Sequence, residues 1–124
     1  MTNSKQKGKR GELEVAHILQ EHGFSGARRS AQYCGNTGEA ADIIGCLPGF
    51  HIEVKRCETT KIWEWIAQAE RDHPEGTIPV VVFRRSRSGW QVCISLEEFL
   101  KIIESTVVHN CAHEEEGQNE KEKE

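Results

Sequence analysis

Ala41-Asp42-Ile43-Ile44-Gly45-Cys46-Leu47-Pro48-Gly49-Phe50-His51-Ile52-Glu53-Val54-Lys55 is the stretch on which the fold turns. Ala41 to Leu47 is nearly continuous in apolar residues, the pattern of a buried strand. Pro48-Gly49 reads as a hairpin turn. In the strand that follows, Phe50, Ile52 and Val54 point one way while His51, Glu53 and Lys55 point the other. A hairpin with this turn brings Asp42, at the head of the first strand, beside Glu53 and Lys55 on the second.

Outward from that hairpin the pattern alternates between helix and strand. Upstream, Gly11 to His22 is a helix with Val15, Ile18 and Leu19 on one face and Ala16 at its edge, stopped by Gly23. Arg28 to Tyr33 reads as a short strand, and Cys34 to Gly38 as a glycine-rich turn or loop. Downstream, Lys61 to Asp72 is a helix with Ile62, Trp63, Ile66 and Ala69 as its apolar face, which puts Trp63 in the core and leaves Trp65 for a dimer interface. Ile78 to Phe83 is a strand apolar at nearly every position, suited to the interior of a sheet covered by helices. A turn at Ser86 to Gly89 leads into a strand at Trp90 to Ile94 with Trp90, Val92 and Ile94 inward. Ser95-Leu96-Glu97-Glu98 is a capping box that opens a helix to Ile103. The class is therefore α/β, a central mixed sheet of about five strands flanked by helices.

The 124 residues, 36% hydrophobic and 29% charged, fit a single domain over residues 1–108 with an acidic, disordered tail over 109–124. No apolar run is long enough for a bilayer span, and the polar N-terminus lacks a signal peptide, so membrane and secreted classes are set aside. The net charge of −4 lies wholly in residues 114–124, leaving a neutral body in which basic residues cluster at Lys5, Lys7, Lys9 and Arg10, at Arg28-Arg29 and at Arg84, Arg85 and Arg87. Each cluster alone is most simply a solvated surface, yet such patches decide whether phosphate can dock. The odd number of cysteines argues for reduced thiols and a cytoplasmic protein. His109, Cys111 and His113 could offer zinc ligands, but no fourth ligand stands at a recognisable spacing.

The chemistry rests on polar residues where apolar ones are expected. Glu12 shares the helix face of Val15, Ala16 and Leu19, and a carboxylate aimed at a core is costly unless something positive meets it. Asp42, Glu53 and Lys55 converge with it at one end of the sheet. That donor set suits Mg²⁺, which takes one or two carboxylate oxygens, keeps several waters and leaves room for a phosphate oxygen. Asp42 and Glu53 would be ligands together with the Val54 backbone carbonyl, and Glu12 would hold a water on the metal or complete a second metal position. Lys55 would orient the attacking water or stabilise developing charge. Taken alone, Glu53 and Lys55 also fit exposed cross-strand charges, with Asp42 a turn residue.

Glu12 on a helix, Asp42 at a strand start and Glu53-Val54-Lys55 together resemble the PD-(D/E)XK nuclease superfamily, and within it the archaeal-type Holliday junction resolvases and their phage relatives. Lys7-Gly8, Gly11-Glu12-Leu13-Glu14 and His22-Gly23-Phe24 are similar to that family's opening helix, and Arg28-Arg29-Ser30-Ala31 to its Arg-Ser-Ala element. Ala41-Asp42-Ile43-Ile44 is similar to its aspartate strand, and Ile78-Pro79-Val80-Val81 with Gly89-Trp90 to its late strands. Ala41 stands in place of the superfamily's proline, and Leu13 where resolvases often carry arginine. The resemblance implies a restriction-endonuclease-like core and an Mg²⁺-dependent endonuclease, with Mn²⁺ as a substitute. It further implies a homodimer acting on branched DNA, the four-way junction above all, in recombination or repair. Glu12, Asp42, Glu53 and Lys55 would be the catalytic set. Ser30 would contact the scissile region, Arg28 or Arg29 would hold backbone phosphate, and Gln68 is a weaker substrate-binding candidate. A nuclease for other DNA structures, or a non-catalytic DNA-binding protein of the same fold, are the alternatives.

Overall fold

The computed structural model describes residues 4–30 and 41–107. The chain divides into two compact units, Met1–Cys93 and Ile94–Glu124. The first holds α1 (Ser4–Glu21), β1 (Arg28–Arg29), β2 (Ile43–Ile44), β3 (Phe50–Arg56), α2 (Ile62–Asp72), β4 (Ile78–Arg84) and β5 (Gln91–Cys93). Its five strands form one sheet in the order β1-β2-β3-β4-β5. β3 and β4 run parallel, with α2 as their crossover, and the other neighbours are antiparallel. The sheet is thus the expected mixed α/β sheet of five strands.

Both faces of β3 are buried, and that places the site. Ile52 and Val54 pack with Val15 and Ala16 of α1, Ala27 and Ile43 in one core cluster. On the opposite face Trp65 and Ala69 of α2 close over Val81, with the Trp65 and Phe83 rings 5.8 Å apart and tilted by 53°. His51 and Glu53, on that second face, are 2% and 4% exposed.

Several elements differ in extent or facing from the expectation. α1 begins at Ser4, because the lysines, glutamine and arginine ahead of Gly11 are good helix formers and the helix runs through both glycines. Gly11 is a point of close approach: a Cβ there would stand 3.0 Å from the Arg56 Cβ and 3.4 Å from the Trp90 ring. The buried face of α1 is Val15, Ala16 and part of Leu19, while Ile18 is exposed. Gly23, at φ 100°, ends the helix as expected, with the Phe24 N–H donating to the Leu19 carbonyl at 2.9 Å. β2 is only two residues long, and what lies beyond Ser30 of the expected first strand, with the Cys34 to Gly38 loop, falls outside the described residues.

The two tryptophans of α2 exchange places relative to the expectation. Trp65 is buried and Trp63 is 80% exposed, so Trp65 belongs to the protomer's own core and not to a dimer interface. At about 100° per residue, Trp65 falls closer than Trp63 to the centre of the face set by Ile62, Ile66 and Ala69. On β5 the expected inward Val92 is exposed, for it stands on an edge strand opposite Val82, while Cys93 packs against the Trp65 cluster.

In the second unit a helix, α3, covers residues 96–107. Ser95 caps it, its hydroxyl accepting the Glu98 N–H at 3.2 Å, as the capping box requires. The acidic tail from residue 109, with His109, Cys111 and His113, lies outside the described residues. Among the described residues no helix is long and apolar enough to cross a membrane.

Candidate active site

Asp42 stands just ahead of β2 and is fixed by its backbone on both sides. Its N–H donates to the Ile52 carbonyl at 2.8 Å, and its carbonyl accepts the Ser30 N–H at 3.0 Å. β2 covers only part of β3, so the Val54 N–H has no strand partner there. The Asp42 side chain supplies one, Oδ2 accepting that N–H at 2.7 Å. Since a residue's N–H and C=O leave a strand on the same side, the Val54 carbonyl opens toward the same gap at the end of β2.

Glu53 follows on the α2 face of β3, and Asp42 feels its charge. Burial first, then Glu53, push the Asp42 carboxyl up to about 8, against the pull of the Val54 N–H, with Glu12 adding to the rise. Crowded, desolvated carboxylates of this kind lack a positive charge, and that shortage is what a divalent cation supplies. Among the described residues no three His, Cys, Asp or Glu side chains form a metal cage by themselves. Asp42 and Glu53, with the Val54 carbonyl, therefore suit a cation that keeps part of its water shell. Glu12 is near enough to add its charge to Asp42, as a partner on a water of such a cation would be.

The remaining residues of interest are held around this pair. Lys55 Nζ donates to the Gln68 Oε1 at 2.8 Å, so strand and helix jointly fix the ammonium on the Glu53 face. Glu12 accepts Arg29 Nε at 2.7 Å, both side chains largely buried, so Arg29 is tied to a carboxylate. Ser30 is buried and its hydroxyl donates to the Ala41 carbonyl, pinning the segment that carries Asp42. Arg28 is exposed, with Nη1 donating to the Gly26 carbonyl at 3.1 Å. The structure thus brings Glu12, Asp42 and Glu53 within electrostatic reach and stations Lys55 and Gln68 beside them. Ser30 holds the segment that carries Asp42, and Arg29 holds Glu12.

The family model described as "Phage putative PDDEXK endonuclease" matches residues 3–124. The chain belongs to this PDDEXK endonuclease family. No curated protein matches it in sequence. Among solved structures it is similar to Archaeoglobus fulgidus Hjc, a Holliday junction resolvase from an archaeal hyperthermophile, at 21% identity and a TM-score of 0.47, over 71% of this chain and 72% of that one. PDDEXK nucleases depend in general on a divalent metal, and the excess of carboxylate around Asp42 is in keeping with that.

One residue beside this candidate site escaped the sequence reading. His51 Nε2 lies 2.7 Å from Glu53 Oε1, both groups almost wholly buried. The signal was present, since positions i and i+2 of a strand share a face. A histidine beside a glutamate is common on strands, however, and only the burial of both marks this pair. The contact leaves one Glu53 oxygen committed to His51 and fixes the plane of the carboxylate, as partners behind a ligand do.

Proposed function

We propose that the chain is an Mg²⁺-dependent endodeoxyribonuclease that resolves four-way DNA junctions as a homodimer, with Glu12, Asp42, Glu53 and Lys55 as its catalytic set. The observation that carries the reading is the meeting of Asp42 and Glu53 at the end of β2, next to an ammonium fixed at Lys55. Asp42 and Glu53, with the Val54 carbonyl, would hold the cation. When bound, it would neutralise charge on the scissile phosphodiester and favour ionisation of water.

The chain's own side chains supply the rest. Lys55, held by Gln68, presents positive charge where an attacking hydroxide or a phosphate oxygen gathers negative charge. Gln68 acts here by placing Lys55, and its amide N–H groups remain available to the substrate. Glu12 is oriented by Arg29 and adds its charge to the Asp42 pair, while His51 orients Glu53. Arg28, exposed at the start of β1, would meet backbone phosphate. Hydrolysis joins the water oxygen to phosphorus and releases one ester oxygen as a hydroxyl. Two symmetric nicks across a junction need two sites, and a two-fold dimer provides them.

The test is cleavage of an end-labelled four-way junction beside a matched linear duplex, with Mg²⁺ and with EDTA, and with Asp42→Asn as control. Paired symmetric nicks on the junction alone, lost in EDTA and in the variant, are the expected result. Equal cutting of both substrates would replace the junction by DNA in general. Binding of DNA without any cutting would overturn the enzyme reading.

A further inference from the structure

The arginines at the end of β4 have no part in the site above. Arg85 to Ser88 form a tight turn closed by the Ser88 N–H on the Arg85 carbonyl at 3.2 Å. Its third residue, Arg87, has φ 65°, the left-handed region where a turn ordinarily carries glycine. An exposed arginine kept in that conformation points to a use for its guanidinium.

The turn is also tied down. The Ser86 N–H and hydroxyl both donate to Glu58, and Glu58 takes Lys7 Nζ of α1 at 2.9 Å. Lower on the same flank, Glu14 meets Arg84 at 3.4 Å and Arg56 at 3.7 Å, and the Arg84 guanidinium lies 5.6 Å above the centre of the Trp90 ring. α1 and the β4–β5 hairpin therefore stand as one ridge. Its carboxylates are spent on Lys7, Arg56 and Arg84. Lys9, Arg10, Arg85 and Arg87 are exposed, with no carboxylate partner among the described residues. A groove of about 280 Å³ runs on from Arg10 past Leu13 and His17 to Arg56. The ridge rises where β3 and β4 end, and Arg56 follows Lys55 directly in the chain.

We propose that this ridge is a second DNA contact, gripping backbone phosphates of the duplex next to the scissile bond, with Arg87 as its leading side chain. The choice of DNA among polyanions rests on the nuclease reading, and the ridge itself rests on the geometry above. Guanidinium groups in an exposed row suit phosphate oxygens, which they meet in a bidentate fashion. The contact reads no bases, so it adds affinity without sequence preference.

The decisive variant is Arg87→Gly, which removes the charge and gives the turn the residue its backbone favours. It is made in full-length Asp42→Asn protein, so that DNA is bound and not cut, together with Arg85→Ala/Arg87→Gly and with Arg71→Ala at the far end of α2 as control. Binding of a fluorescent duplex is followed by anisotropy across a series of salt concentrations. Arg87→Gly should melt no lower than its parent yet bind more weakly, and its log K against log salt slope should shrink by about 0.9 for each phosphate no longer neutralised. The double variant should show about twice that decrease, and Arg71→Ala almost none. A double variant with the parent's affinity and slope would overturn the ridge while leaving the nuclease standing. A shallower slope in the variants beside wild-type protein that never cuts would do the reverse. A parent that binds no DNA would overturn both.

Discussion

Glu12 and Glu14 are two residues apart on α1, and the ionic groups they join are built to opposite rules. Glu14 is shared between Arg56 and Arg84, so one carboxylate faces two guanidinium groups and the cluster lacks nothing that a cation could give. Glu12 has Arg29, but across the gap from it stand Asp42 and Glu53, whose close polar partners among the described residues are a backbone N–H, a histidine and each other. The first group ties a helix to the ends of two strands. The second crowds carboxylates together in a desolvated place, which raises the free energy of the fold, and a bound cation would lower it again. The charge balance of a cluster, more than its burial, separates scaffold from candidate site here.

The largest effect should come from Lys55, the ammonium held beside the unbalanced group. Lys55→Met keeps most of the aliphatic stem and removes the charge, so the fold should survive while single-turnover cleavage at saturating metal and DNA falls by about 10²–10³-fold, the order of losing one oriented charge-stabilising donor. A loss below about tenfold would mean that Lys55 merely pairs with Gln68.

Next in size is a stability effect of Asp42 itself. Its carboxyl is raised from 3.8 to about 8, so between those values the folded chain holds a proton that the unfolded chain has released. Stability then declines as pH rises through this window, by at most about 1.4 kcal/mol per pH unit from this group. In EDTA at a pH above 8, Asp42→Asn should therefore melt higher than wild type, and the gap should close as the pH approaches 4. Adding Mg²⁺ at high pH should raise the melting temperature of wild type only. Identical melting curves for the two proteins in EDTA would show that the carboxylates are not in conflict.

Much of this contrast is legible in the sequence. Strand alternation puts Glu53 and Lys55 on one face, and the Pro48-Gly49 turn returns Asp42 to them, because both follow from local backbone geometry. The tryptophans of α2 read the wrong way round: both flank the same apolar arc, Trp65 lies nearer its centre, and docking onto β4 buries it. The engagement of Arg29 with Glu12, of Ser30 with the Ala41 carbonyl and of Glu14 with Arg84 joins residues distant in the chain. Periodicity has no means of reporting such pairs. Arg87 is a further case, because an arginine in a serine-rich turn gives no sign of a left-handed backbone.

Glu12→Gln should have a smaller effect, on rate and not on stability. Arg29 keeps a polar partner in the amide, so melting in EDTA should change little, while cleavage falls by about tenfold, the lower end of what partners behind metal ligands contribute. An unchanged rate with a lowered melting temperature would move Glu12 into the class of Glu14.

The smallest effect, and the one that tests the comparison from its other side, is Glu14→Gln. Its carboxylate is partly exposed and reaches Arg84 and Arg56 at 3.4 and 3.7 Å, longer than good charge-assisted hydrogen bonds. Losing it should cost about 1 kcal/mol of unfolding free energy, read from urea denaturation, with no consequence for metal affinity. Cleavage should stay within about twofold of wild type, since the charge of Glu14 is already met by two arginines and exerts little net field on Asp42. If the variant instead lost cleavage at full stability, the two carboxylates would be parts of one site, and a balanced cluster would no longer serve as the mark of scaffold in this protein.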